Sequence, residues 1–379
     1  MNFSINRDVL LENLNLIQRG LPVKTTLPVL NGIKIELTNE DLFLTSSNND
    51  ISIKVVINDS SLVIEETGNI IVPGNYFIQI IKKINSKTIN ISLIEDKIVV
   101  IKAERSEFKL NLYSYFDYPN IDFIGLENPL TLPARTVKSI IRETAYAAST
   151  IEKRPILTGV SLRLIDNKTL LAVATDSFRL SQKKISLDEV QYDDFNVVVP
   201  FKSFDELSKS IDNYNDNIEV YFDKSKVLFK FKNILFQSRL LDGNYPDTSR
   251  LIPNEYQVKV KFNKEELQNA IDRVSLLSAK DLNSSFTIVR LSINENQSVT
   301  INSSRTEIGA AEEQILPIEP VEGPTLKIAF SSKFILDALK SFISPEVELL
   351  FTGEVRPFII RGELDTDLTA LILPVRVDW

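Results

Sequence analysis

From Arg154 to Leu180 apolar and polar residues alternate as in a half-buried strand pair. Val160, Leu162 and Leu164 come first, then a polar Asp166-Asn167-Lys168 turn, then Leu171 and Val173 leading into Thr175-Asp176-Ser177-Phe178-Arg179-Leu180. A period of two around a polar turn predicts a hairpin. The same arrangement occurs upstream as LPVLNGIKIELTNEDLFLTSSNNDISI, with Gly32 and Gly159 in corresponding places 127 residues apart.

The helical periods repeat in step with the hairpins. In the first copy Leu10, Leu14 and Ile17 predict a helix, with Asn6 or Asp8 as its cap. The hairpin follows, then Val72-Pro73 leads a second helix through Ile81 and Ile84, and a last hairpin runs to Tyr118-Pro119. A second copy begins after the loop-rich stretch 122–129, with Val137, Ile140, Ile141 and Ala145 as its helical face. Val199-Pro200 and Tyr245-Pro246 both lie 127 residues beyond their counterparts, so three landmarks share one offset. The third copy diverges further: a helix through Leu267, Ile271, Val274 and Leu277, strands over 287–293 and 299–302, a helix from Ser331 through Leu339, and closing strands ending in LTALILPVRVDW. The expected fold is α+β, three domains at 1–125, 126–252 and 253–379, each reading helix, strands, helix, strands, with two helices on an antiparallel sheet.

Composition narrows what such a chain can do. It has no cysteine and no histidine, which removes disulfides, thiolate metal sites and the commonest general base. Among 11 glycines there is no phosphate-binding loop or nucleophile elbow, so a binding protein without metal or cofactor is expected. No long apolar run or signal-like N-terminus is seen, so no membrane contact and a cytoplasmic location are expected. The net charge of −8 argues against a nucleic-acid partner, but its distribution does not. Over the expected helical stretches 7–19, 75–87, 135–154, 202–212, 263–280 and 331–342 the charge totals +6, leaving −14 on strands and loops.

These residues resemble the bacterial sliding clamp family, the beta subunit of the replicative DNA polymerase III holoenzyme. The resemblance rests on Leu27-Pro28-Val29-Leu30, on 154–159 (RPILTG), on 174–180 (ATDSFRL), on 241–247 (LDGNYPD) and on Leu373-Pro374-Val375-Arg376, in order across three repeats. It implies DNA-clamp domains in a head-to-tail homodimeric ring, helices lining the hole and double-stranded DNA threaded through without sequence preference. DNA-facing positions are then Lys24, Lys82, Lys83, Lys153, Arg154, Lys202 and Arg250; where the first repeat has Gly74-Asn75, a basic residue is expected, and Lys82, Lys83 and Lys87 compensate.

The resemblance also implies a hydrophobic pocket for partner peptides, built from Leu157, Thr175, Ser177, Phe178, Arg179, Leu180, Pro246, Arg250, Leu251, Leu371, Ile372, Leu373, Pro374, Val375 and Arg376. Leu180, Leu251 and Leu373 are expected to line one apolar cleft, with Leu180 at its mouth, and Asp378-Trp379 extends past the family's usual end. Expected partners are the replicative polymerase catalytic subunit, the clamp loader, repair polymerases, mismatch repair factors and DNA ligase. Ring closure would join Phe108 and Leu110 of one protomer to Leu276 and Leu277 of the other. Two other readings remain at this point. One is a carboxylate and magnesium nuclease, with Asp176 as its best single candidate; the other is a DNA-independent repeat scaffold. A solution mass near twice 42.9 kDa separates a clamp from a monomeric scaffold.

Overall fold

The computed structural model describes residues 1–151, 153–188, 192, 194–278, 287–377 and 379. Lys280, counted above with a helix, and Asp378 lie outside the described residues. The first repeat runs β1 (Asn2–Asn6), α1 (Arg7–Ile17), β2 (Gly32–Leu37), β3 (Leu42–Ser47), β4 (Ile51–Ile57), β5 (Val63–Glu66), β6 (Gly68–Pro73), α2 (Gly74–Lys83), β7 (Thr88–Ile94), β8 (Ile98–Ala103) and β9 (Ser106–Asn111). The second runs β10 (Leu130–Pro133), α3 (Ala134–Thr144), β11 (Gly159–Ile165), β12 (Thr169–Thr175), β13 (Arg179–Ser186), β14 (Asn196–Pro200), α4 (Phe201–Ser210), β15 (Asn217–Phe222), β16 (Lys226–Phe231) and β17 (Ile234–Arg239). The third runs β18 (Val258–Asn263), α5 (Lys264–Ser275), β19 (Ile288–Ile293), β20 (Val299–Arg305), β21 (Gly309–Ile315), β22 (Leu326–Ser331), α6 (Ser332–Ser341), β23 (Glu346–Phe351), β24 (Phe358–Gly362) and β25 (Leu368–Ile372).

Each repeat therefore opens on a strand that the reading helix, strands, helix, strands omits. In the third, Val258, Val260 and Phe262 are buried between exposed-side lysines, a plain period of two. The following helix is capped from that strand: Asn6 accepts from the backbone N–H of Asp8 and Val9, and Asn263 from Glu266. Helices also end sooner than expected. Ile84 is the extended residue after α2, Ala145 begins a short 3-10 turn, and Leu276 and Leu277 lie past the end of α5. Among the described residues the six α-helices carry +3 rather than +6, because Arg19, Lys87, Lys153, Arg154 and Asp212 fall beyond helix ends and Glu152 and Lys280 lie outside the described residues.

The repeats are joined by their sheets, and two compact units result. One comprises Met1–Val137 with Asp205–Leu240, the other Lys138–Phe204 with Leu241–Trp379. The first unit holds a five-stranded sheet, β5-β1-β7-β8-β9, and an eight-stranded one, β10-β15-β16-β17-β4-β3-β2-β6. The second holds an eight-stranded sheet, β14-β11-β12-β13-β25-β24-β23-β18, and a four-stranded one, β21-β20-β19-β22. All pairings are antiparallel. Each eight-stranded sheet thus has one seam where strands of different repeats meet, β17 on β4 in the first unit and β13 on β25 in the second.

The sequence landmarks have local causes. Gly159 has no room for a side chain, since a Cβ there would come within 2.6 Å of the Val199 carbonyl oxygen and 2.7 Å of the Val198 side chain. Val-Pro ends β6 and β14, both sheet edges, where a missing N–H is tolerated. Asp166 and Asn167, both at positive φ, make the tight turn between β11 and β12. Between the paired residues Leu164 and Leu170 the chain has one residue more than between their counterparts Leu37 and Leu42. Equivalent positions in β3–β4 and β12–β13 are consequently 128 apart, not 127, before the offset returns to 127 at Val72 and Val199. No described helix is long and apolar enough to cross a membrane.

Candidate functional site

The eight-stranded sheet of the second unit is buried on both faces around its seam, and its two apolar sets differ. Val160, Leu162 and Leu164 are buried, and in β11–β12 Leu162 and Leu164 stand opposite Ala172 and Leu170. Leu171 and Val173 alternate with these and join a separate cluster, Val173, Leu180, Leu350, Ile359 and Leu371, covered in part by Tyr245, Ile252 and Tyr256. Across the seam Leu180 pairs with Leu371 and Arg179 with Ile372. Alternation sends Leu180 and Leu371 to this cluster, while Ile372 belongs to the larger core with α5 and α6.

The turn into β13 is fixed by side chains. Asp176 Oδ1 accepts from the N–H groups of Phe178 (2.9 Å) and Arg179 (3.0 Å), holding Ser177 at φ 77°. Thr175 donates its hydroxyl to the Arg179 carbonyl at 2.6 Å, and the Thr175 N–H donates to the Tyr245 hydroxyl at 3.0 Å. Burial pushes the Tyr245 hydroxyl well above its ordinary range. Asp176, the best carboxylate for a nuclease, is committed to this turn and to Arg179; among the described residues no three acidic side chains gather as a metal set.

Of the residues expected to line a pocket, three apolar ones stand at the surface: Phe178 is 49% exposed, Leu251 51% and Leu373 36%. The Leu373 N–H donates to the Phe178 carbonyl at 2.9 Å, bringing those two together. Ser177, Pro246, Arg250 and Arg376 are also exposed, and Pro374 and Val375 half-buried. Leu180 is not at the mouth of anything. It is 1% exposed, as Leu371 is 2% and Leu157 3%, so these three are floor or core rather than rim. Sequence reasoning did not single out Val173, Leu350, Ile359, Ile252 and Tyr256; the period-two set opposite Leu170 and Ala172 was the available signal for Val173.

The other face of β13 carries Arg179, Ser181 and Lys183, all buried. Arg179 pairs with Asp176 (3.0 Å) and Asp337 (2.7 Å), and Lys183 with Glu143 and Asp367 (2.6 Å each). Burial disfavours the Lys183 charge, but its hydrogen bonds to Asp367 and Glu143 outweigh this and raise its pKa above the ordinary lysine range.

The seam of the first unit is the internal control, and both of its faces are reversed. Its β4 row toward the helix α1 is Ile51, Ile53, Val55 and Ile57. In the places of Val173, Leu180 and Leu371 stand Thr45, Ser52 and Gln237. Ser52 and Ser47 share a hydrogen bond of 2.9 Å, while Gln237 donates to the Asp122 carbonyl and accepts from the Ile124 N–H. Among the described residues, only the second unit's seam thus carries an apolar cluster beside an exposed apolar rim.

Lys24, Lys82, Lys83, Lys153, Arg154, Lys202 and Arg250 are all exposed, and among the described residues none of them forms an ion pair. Phe108, 37% exposed, and Leu110 sit on β9, a sheet edge; Leu276 is 80% exposed and Leu277 half-buried.

Three α+β repeats stitched by antiparallel seams, with unpaired surface cations and one apolar seam, define a clamp-class protein that works by binding. Comparison with known proteins makes this specific. Residues 1–122, 131–247 and 249–376 match the N-terminal, central and C-terminal domains of the DNA polymerase III beta subunit. The beta sliding clamp of Bacillus subtilis is 39% identical over 381 residues, covering 99% of this chain and 100% of that protein. That of Staphylococcus epidermidis is 38% identical over 381 residues, with 99% of each covered. The crystal structure of the Bacillus subtilis DNA polymerase sliding clamp superposes with a TM-score of 0.95 at 38% identity, covering 100% of both chains. The DNA polymerase III beta chain of Streptococcus pneumoniae gives 0.95 at 38% identity, covering 99% and 100%. The chain belongs to the DNA polymerase III beta subunits, the bacterial sliding clamps, and is a polymerase processivity factor, an accessory subunit without catalysis of its own.

Proposed function

We propose that the chain acts as a head-to-tail homodimer, with repeats 1–125, 126–252 and 253–379 of each protomer forming a ring around double-stranded DNA. Its partners dock at the apolar seam of the second unit. The contrast between the two seams carries this reading. Thr45, Ser52 and Gln237 replace Val173, Leu180 and Leu371, so one seam offers partners an apolar surface and its counterpart does not. Phe178, Leu251 and Leu373 form the rim, Leu180 and Leu371 the floor, and Pro246, Arg250, Pro374, Val375 and Arg376 flank it.

A partner segment burying about 300 Å² of apolar surface gains roughly 7 kcal/mol at about 25 cal/mol/Å². Ordering a flexible peptide returns several kcal/mol of that, leaving micromolar binding. Exchangeable contacts of this strength let the replicative polymerase, clamp loader, repair polymerases, mismatch repair factors and ligase take turns, in the cytoplasm on the nucleoid.

Ring closure uses Phe108 and Leu110 on one edge strand against Leu276 and Leu277 of the other protomer, which removes exposed apolar side chains from water. Sedimentation tests it: the parent should run near twice 42.9 kDa. Leu276→Ala with Leu277→Ala should weaken the dimer by roughly 2–5 kcal/mol. A double variant as dimeric as the parent at nanomolar concentration would place the interface elsewhere.

DNA is held by Lys24, Lys153, Arg154, Lys202 and Arg250 with Lys82 and Lys83, which meet phosphates and read no bases. Changing Lys24, Arg154 and Lys202 together to Ala should reduce the slope of log affinity against log salt by up to about 2.7, at roughly 0.9 per phosphate contact. An unchanged slope would remove all three from the DNA path.

A further inference from the structure

The ions behind the rim point to a residue that no rim assignment includes. Phe178 stacks on Phe334 of α6, ring centroids 6.5 Å apart at 26°. The Arg179 guanidinium lies over the same Phe334 ring at 4.5 Å and joins Asp176 to Asp337, which is one turn on from Phe334 in α6. Asp176 in turn holds the N–H of Phe178. Phe178 is therefore held from two sides, by the aromatic stack and by the chain Asp337–Arg179–Asp176. The corresponding turn of the first unit has Asn48, Asp50 and Ile51 where the second has Asp176, Phe178 and Arg179, so it has neither the cation nor the aromatic ring. A buried ion pair adds little net stability over an apolar pair of the same shape. What it supplies is fixed orientation.

We infer that Asp337 is a positioning residue for partner binding: acting through Arg179 and Asp176, it sets the orientation of Phe178 at the rim. The binding consequence rests on the docking site proposed above, whereas the orientation itself does not. Asp337 is partly accessible to solvent, and Asp337→Asn keeps its shape, so the fold should survive.

The experiment places 4-fluorophenylalanine at position 178 and records its fluorine resonance in the full-length protein. In parallel, the affinity for a fluorescently labelled hexapeptide carrying two leucines and one phenylalanine is measured by anisotropy. In Asp337→Asn the resonance should shift or broaden and affinity should fall about fivefold to tenfold, the worth of one aromatic contact, with the thermal midpoint nearly unchanged. Asp367→Asn, at the far end of the ion row, should alter neither, and Asp337→Glu should recover part of both. An unmoved resonance in Asp337→Asn overturns the inference. A resonance that moves while the parent itself fails to bind the peptide upholds the positioning of Phe178 and overturns the docking site.

Discussion

Leu180→Asp is expected to unfold the second unit and not merely to weaken partner binding. Leu180 is 1% exposed, paired across the seam with Leu371 and packed with Val173, Leu350 and Ile359. A carboxylate there would stand among apolar side chains, since the paired cations Arg179 and Lys183 lie on the opposite face of β13. Burying an unpaired charge belongs to the costliest class of substitution, about 4–5 kcal/mol or more, against a typical domain stability of about 5–15 kcal/mol. The rim behaves differently. Leu373→Asp puts the same charge at a position already 36% in water, and its backbone N–H still reaches the Phe178 carbonyl. It should abolish binding of the leucine- and phenylalanine-bearing hexapeptide while leaving the dimer intact and lowering the thermal midpoint by only about 2–4 °C, near 1 kcal/mol for a unit of this size. Circular dichroism melting beside peptide anisotropy separates the two. Leu180→Asp melting with the parent, or Leu373→Asp binding as well as the parent, would break the division into floor and rim.

That division was only half legible in the sequence. Repeats, hairpins and the Val-Pro and Tyr-Pro landmarks could be read because each has a local cause: a turn at positive φ, a glycine with no room for a side chain, a proline at a sheet edge. The apolar character of the β13–β25 seam was visible too. Its layering was not, because Arg179, Ser181 and Lys183 alternate like a solvated face. Their burial becomes evident only when Glu143, Asp337 and Asp367 arrive from distant stretches to pair with them. The opening strands had a signal that went unused, the alternation of Phe3 with Ile5 and of Val258 with Val260 and Phe262. Helix ends were overrun because hydrophobic periodicity does not mark where a chain turns away; Lys153 and Arg154 sit in the loop after α3. This lowers the helical charge to +3, so the case for DNA contact rests less on a charged layer than on individual exposed cations that form no ion pair among the described residues.

Weak phosphate contacts and a closed ring together make a demand that few other binding modes make. A protein held on DNA by charge leaves as salt rises, because released counterions drive the binding. A ring held by topology stays on a circle at any salt that preserves the dimer, yet slides off a free end. The direct measurement loads the protein onto nicked circular plasmid with a bacterial clamp loader and ATP, isolates the complex by gel filtration in salt that screens phosphate contacts, and then cuts the plasmid once. The protein should travel with the circle and be lost quantitatively on linearisation. Elution from the intact circle by salt, or retention on the linear product, would contradict the ring.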